Sequence, residues 1–373
     1  MRIHFFVRTL NEVTGGGSHY NSLAYMRALR KNGHEVTVHV LYDRGNAFPE
    51  DFEPIVHEGF GTGHLGERAL IRKLLEQYQA EADVYFLYAV EFAWGGGYYR
   101  RSGGRVPCVV YMDAYLSSMR TTHEQKLSMR WYQYKRLLWD KTIGLKDVQY
   151  IDRFLPCSPY IGQMYINFGF PKSKFTVLPN IVPNTVTPRE REEHSPLTVL
   201  YVGRLVYVKG IDLAIEAVAR LKTLPFKLLI VGDGDMRSDI EKRIQTEQLP
   251  VEIVGWVPEK EVNTYFEKAD FFLHPARWPD PAPRTIVACT QHALPTIIPD
   301  TGGSAWIAGG SGVVYKTGDI NELTRNLKAV IESHEMRREL SKQGPLLAKR
   351  FEEDVVFPQL VSILSEVIAD AKV

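Results

Sequence analysis

The segment YVGRLVYVKG, Tyr201–Gly210, sets two cations five residues apart, just after an apolar run and just before a helical pattern. A strand-to-helix loop leaves backbone N–H groups unpaired and meets the positive end of a helix dipole. Arg204 adds a planar fork that can hold two oxygens, and Lys209 adds a compact charge. The pair reads either as a pyrophosphate site or as two solvated surface charges. Gly203 ends that same apolar run and Gly232, in IVGDGDM, ends a further one, and such glycines permit close turns. VGWVPEKEV places Gly255, Trp256 and Val257 in the same way. Near the N-terminus, TGGGSHY (Thr14–Tyr20) joins an apolar run to a helical pattern. Gly15, Gly16 and Gly17 either let a ligand approach the backbone or form a flexible turn. His19 and Tyr20 open the helix behind them.

The elements that must position these residues alternate in type. IHFFV, HYNSLAYMRALRKNG and HEVTVHVL read as strand, helix, strand, with Gly33 as the helix stop. DVYFLYA, VPCVVYM, YIDRFLPCS and FTVLPN read as further strands. The segment Pro179–Pro196 holds four prolines in a polar, charged stretch and reads as a linker. After it the alternation restarts, from LTVLYVG through LPTIIP. Alternation of this kind predicts parallel sheets with helices on both faces. The expected fold is α/β, with two Rossmann-like doubly wound domains facing a deep cleft. The expected boundaries are 1–182, a linker at 183–196, and 197–350, with a terminal helix at 351–373 packing back on the first domain. Ligands of such sheets bind beyond the carboxyl ends of the strands.

Taken in order, GRL-x3-KG, VGDG, GWVP, an acid before P-x-PRTIV-A, ALPTI and TGG resemble the retaining GT-B glycosyltransferases of family 4. The resemblance is strong from Leu197 to Ile331 and weaker over the first 180 residues. It implies a nucleotide-sugar donor held by the C-terminal domain, with Arg204 and Lys209 on its diphosphate. It implies that Gly203, Gly232, Gly255, Trp256, Val257, Arg284 and Thr285 contact the donor, together with Gly16 and Gly17. Gly15, His19, Tyr20 and Asp113 fall to the acceptor side, and Asp113 reads equally as a cap of its turn. The family's two glutamates, eight positions apart, align with Asp280 and Ala288. Asp280 keeps a carboxylate for the donor sugar, whereas Ala288 cannot accept a ribose hydrogen bond. Pro283 stands where a glycine is expected, and Trp306 where an acid is common. The implied catalytic set is Arg204, Lys209, Asp280 and Asp113. No cofactor and no metal are expected, because the DGD triplet Asp233–Asp235 belongs to the VGDG turn. A non-catalytic relative that binds a nucleotide sugar or glycan is the alternative.

Composition narrows the partners. A net charge of +1 sets up no global field for nucleic acid. Cys108, Cys157 and Cys289 form no metal or disulfide pattern and fit a reducing compartment. The sequence MRIHFFVRTL reads as a strand rather than a signal peptide, so the expected location is cytoplasmic. From Tyr98 to Lys146, ten Lys or Arg stand against three Asp or Glu. Within that stretch Leu127, Trp131, Tyr134 and Leu138 fall at helical spacing beside Lys126, Arg130, Lys135, Arg136 and Lys141. This helix either docks on anionic lipid at the membrane's cytoplasmic face or packs on the core with its charges solvated. The expected partners are a nucleotide sugar and a glycan or lipid-linked acceptor.

Overall fold

Runs rich in Val, Ile, Leu and Phe that lack polar alternation can be strands only where both faces are covered. In the computed structural model they form two parallel sheets. The residues described are 1–12, 16–42, 46–58, 64–116, 127–184, 186–188 and 192–372, with backbone alone at 64, 65, 127–130, 259 and 260. The chain divides into two units, Met1–Val182 with Glu353–Val373, and Pro183–Glu352. The division falls inside the proline-rich segment, so its residues from Pro183 onward group with the second unit.

The first unit holds β1 (Arg2–Val7), β2 (Glu35–Val40), β3 (Ile55–Val56), β4 (Val84–Tyr88), β5 (Cys108–Met112) and β6 (Arg153–Pro156). They pair in parallel in the order β3-β2-β1-β4-β5-β6. The second unit holds β7 (Leu197–Val202), β8 (Phe226–Val231), β9 (Val251–Gly255), β10 (Phe271–Leu273), β11 (Thr296–Pro299) and β12 (Gly312–Tyr315). Their order is β12-β11-β10-β7-β8-β9, again parallel. Each sheet is thus doubly wound from its first strand. The direction of winding reverses between β1 and β4 in one unit and between β7 and β10 in the other.

Helices cover the sheets through apolar stripes. In the helix Ile211–Leu221, the buried Ile211, Ala214, Ile215 and Val218 share one face and join the core around Val199, Leu228 and Ile230. Burying one such branched side chain contributes roughly 1.5–3 kcal/mol. The helix Gly17–Lys31 ends where Gly33 turns with a φ of 79°. The helix Glu353–Asp370 buries Val356, Leu360, Leu364 and Val367, and carries Pro358 on its exposed side. Its Glu353 takes an ion pair from Lys31 at 2.7 Å.

One local expectation needs correction. FTVLPN forms no strand, because Phe175 makes a single bridge to Phe154 and the segment then runs into Pro179. Gly95, Gly96 and Gly97, which the sequence pattern assigns to no element, lie inside the helix Phe92–Arg101. A Cβ on them would meet Ile71 at 2.4 Å, Leu87 at 2.7 Å and the Asp147 carbonyl at 2.2 Å. Close packing against three neighbours therefore offsets the low helix propensity of glycine.

Candidate active site

The cations after β7 lie on a turn whose path is held from several sides. Gly203 N–H donates to Val231 O at 3.0 Å, and Tyr201 hydroxyl donates to Arg204 O at 2.9 Å. Gly232, at a φ of 142°, passes so close that a Cβ there would lie 2.0 Å from Gly203 O. The VGDG glycines are thus needed to seat the GRL loop. Behind the loop, a 3-10 turn Tyr207–Lys209 leads into Gly210, whose φ is 70°. A Cβ on Gly210 would lie 1.9 Å from Pro275 O, just beyond β10.

The loop after β10 completes the arrangement. Lys209 Nζ donates to Asp280 Oδ2 at 2.5 Å. Arg277 grips both oxygens of Asp212 at 2.6 Å and stacks on the Tyr207 ring at 4.1 Å. The Asp280 backbone is clamped in turn by the TGG segment. Gly303 N–H donates to Asp280 O at 2.7 Å, and a Cβ on Gly302 would meet that oxygen at 2.4 Å. Lys209 and Asp280, 71 residues apart, therefore meet at the switch point between β7 and β10. Arg204 is exposed, and among the described residues its side chain has no hydrogen-bond or ion-pair partner. One free guanidinium beside one paired ammonium is a ready receptor for an anion with several oxygens.

The other candidates of this unit lie as follows. Gly255 ends β9 with a φ of 92°, and Trp256 after it is 74% exposed, so its ring is open for stacking. Val257 is half-buried beside it. Arg284 and Thr285 open the helix Arg284–Gln291, with Pro283 before them. Ala288 lies half-buried one turn on and brings no acceptor. Trp306 is held by packing, edge-on to Phe351 at 5.7 Å and beneath the Arg350 guanidinium at 5.2 Å. In the DGD triplet, Asp233 accepts Gly234 N–H at 2.8 Å and pairs with Arg237 at 2.7 Å, which holds its carboxylate below the usual range.

The first unit carries a cavity of about 470 Å3 at its own switch point. Arg8 follows β1, Glu91 follows β4 and Asp113 follows β5, and all three line it. Arg8 pairs with Glu91 at 3.1 Å and donates to the Tyr42 hydroxyl at 2.9 Å. Ser18 hydroxyl donates to Asp113 Oδ2 at 2.5 Å. Burial pushes the Asp113 carboxyl up from its ordinary value, against the pull of Ser18 and Tyr88. His19 also lines the cavity, and its Nδ1 accepts Asn11 N–H at 3.1 Å, so burial favours its neutral form. Ala89, at a φ of 146°, is a non-glycine residue in a strained conformation on the cavity wall. Gly16 caps the helix Gly17–Lys31 with open space around it, while Tyr20 sits half-buried in its first turn. Gly15 lies outside the described residues.

The basic helix settles as Leu127–Trp139, with Lys126 outside the described residues. Trp131, Tyr134 and Leu138 are all more than half exposed, so this face is not packed on the core. No described helix is long and apolar enough to cross a membrane.

Arg8, Tyr42, Glu91 and His274 were not singled out by the sequence. Arg8, Glu91 and His274 stand directly or closely after strands, where the doubly wound rule puts ligand contacts, and that position was their only signal. His274 is buried, and its Nε2 has no hydrogen-bond partner and lies 3.9 Å from Asp280 Oδ2. Burial pulls its pKa down to about 4, so the ring is neutral near pH 7.

Comparison with known proteins agrees with this architecture. Residues 185–346 match the family model for glycosyl transferases group 1, and residues 15–185 match that for Glycosyltransferase Family 4. The amylovoran biosynthesis glycosyltransferase AmsK of Erwinia amylovora is 34% identical over 128 residues, 33% of this chain and 31% of that protein. The chain thus aligns with about a third of that relative's length. The solved apo form of the lipopolysaccharide outer core galactosyltransferase WaaB superposes with a TM-score of 0.76 at 17% identity, covering 100% of both chains. Anabaena Alr3699/HepE in complex with UDP superposes with a TM-score of 0.74 at 17% identity, over 98% of this chain and 100% of that one. The ordered loops beyond β7 to β11, the two doubly wound sheets and the two adjoining family matches place this chain in the group 1, family 4 glycosyltransferases of GT-B fold.

Proposed function

We propose that this protein is a retaining, metal-independent glycosyltransferase that moves a sugar from a nucleoside diphosphate sugar to a glycan or lipid-linked acceptor in polysaccharide assembly. The observation that carries this reading is the Lys209–Asp280 pair beside the unpartnered Arg204 at the switch point of the second sheet. Arg204 and Lys209 take the diphosphate and stabilise the charge that grows on it as the glycosidic bond breaks. Asp280 accepts hydrogen bonds from sugar hydroxyls. Trp256 offers a face for the base. The first unit's cavity takes the acceptor, with Asp113 as the hydroxyl's hydrogen-bond acceptor. The leaving phosphate collects the acceptor proton, so no protein nucleophile is required. The face of Trp131, Tyr134 and Leu138, flanked by Lys135 and Arg136, docks the enzyme on anionic lipid. Ala288, which brings no side-chain acceptor for a ribose, favours a second reading, a donor-binding relative without turnover.

A thermal-shift panel of UDP-, GDP- and dTDP-sugars tests the donor site, UDP first because one structural neighbour is solved with it. A ligand at 100 times its dissociation constant adds about 2.7 kcal/mol of stability. One donor class should shift the wild type and leave the double variant Arg204→Ala/Lys209→Ala unmoved. Equal shifts in both proteins would place the nucleotide elsewhere.

A further inference from the structure

Among the described residues Lys209 has one carboxylate partner, Asp280, and a diphosphate would compete for it. If Lys209 turns to the donor, Asp280 loses its 2.5 Å contact while remaining largely buried. A buried carboxylate without a partner is costly. His274 is the one further titratable side chain in an ion-pairing position on Asp280 among the described residues, with Nε2 at 3.9 Å from the same Oδ2 that Lys209 holds. That nitrogen is buried and has no hydrogen-bond partner. Its lone pair would repel the carboxylate, so the tautomer that suits the site carries hydrogen on Nε2. A move of about 1 Å would bring it to hydrogen-bond distance.

We propose that His274 is a positioning residue that takes over Asp280 when the donor diphosphate draws Lys209 away. The inference rests on the reading of Arg204 and Lys209 as the diphosphate site. Donor binding thus replaces the Lys209 contact to Asp280 with one from His274, which keeps the carboxylate aimed at the sugar hydroxyls. The charges acting on His274 are Asp280 and Lys209. Arg204 and Asp212 act with Asp280 on the neighbouring Tyr201 hydroxyl, and Asp212 is held by Arg277. Replace His274 by an apolar ring, and its contact to Asp280 is lost.

The test is calorimetric binding of UDP-glucose, or of GDP-mannose or dTDP-glucose if the panel selects that class, at pH 5.5 and at pH 8. The expected result for His274→Phe is donor affinity at least 10-fold weaker than that of the wild type. His274→Gln, whose amide N–H reaches the same carboxylate, should bind like the wild type. A His274→Phe protein that matches the wild type at every pH overturns the proposal. So does a His274→Gln protein as impaired as His274→Phe, which would mark a purely steric role. Lys209→Ala separates the two layers. If that change leaves nucleotide affinity intact, or if no donor binds the wild type, the diphosphate reading itself falls and the exchange falls with it.

Discussion

Gly232 carries no functional group, yet its missing Cβ decides where Arg204 stands. Its φ of 142° and the 2.0 Å gap to Gly203 O leave no room for a methyl group. Gly232→Ala should cost roughly 2 kcal/mol or more of stability. It should also weaken nucleotide binding more than the stability loss explains, because the Gly203–Arg204 peptide must move. Differential scanning calorimetry with and without nucleotide separates the two effects. An unchanged melting temperature would mean that the two loops do not brace each other. At this scale the sequence was legible where partners are near in the chain, as with Arg204 and Lys209. It was silent on Lys209–Asp280 and His274–Asp280, because a contact between residues after two different strands exists only once the sheet has formed. Trp306 also looked like a loss at a functional position. Phe351 and Arg350, which pack on it, belong to the stretch that leads into the last helix.

Elements were read well where their period was long and unbroken. The helix Ile211–Leu221 and the strands β7 and β8 follow directly from apolar spacing. Periodicity fails where packing overrides propensity, as in the glycine run of Phe92–Arg101, and where too few ladder bonds form, as in FTVLPN. It also gives the apolar face of a helix without saying what covers that face. Trp131, Tyr134 and Leu138 were readable either as core or as a docking face, and their exposure decides against the core. Aromatic rings above a basic flank suit the interface of an anionic bilayer. The protein should therefore sediment with vesicles of mixed phosphatidylcholine and phosphatidylglycerol, and less so as salt rises. The triple change Trp131→Ser/Tyr134→Ser/Leu138→Ser should release it while leaving the melting temperature within about 2 °C, since exposed side chains contribute little to the core. Equal sedimentation of both proteins would argue against this face as the anchor.

Across the whole molecule one strand order is used twice, and each unit sets a cation–carboxylate pair at the same place in that order. In the first, Arg8 and Glu91 flank the reversal between β1 and β4. In the second, Lys209 and Asp280 flank the reversal between β7 and β10. The alternation of strands and helices was sufficient to expect this architecture, and the switch-point rule then explains why the loops of highest chemical content follow those strands. The account as a whole rests on sugar transfer at the second switch point. Its most direct test is release of nucleoside diphosphate from the donor that the thermal-shift panel selects. Wild type and Lys209→Ala are followed side by side under single-turnover conditions with saturating enzyme. The wild type should release diphosphate, and Lys209→Ala should do so about 100-fold more slowly, since one charge-assisted contact to the leaving group contributes about 2.7 kcal/mol or more in the transition state. Donor that binds the wild type without any release, or equal release by both proteins, would contradict it.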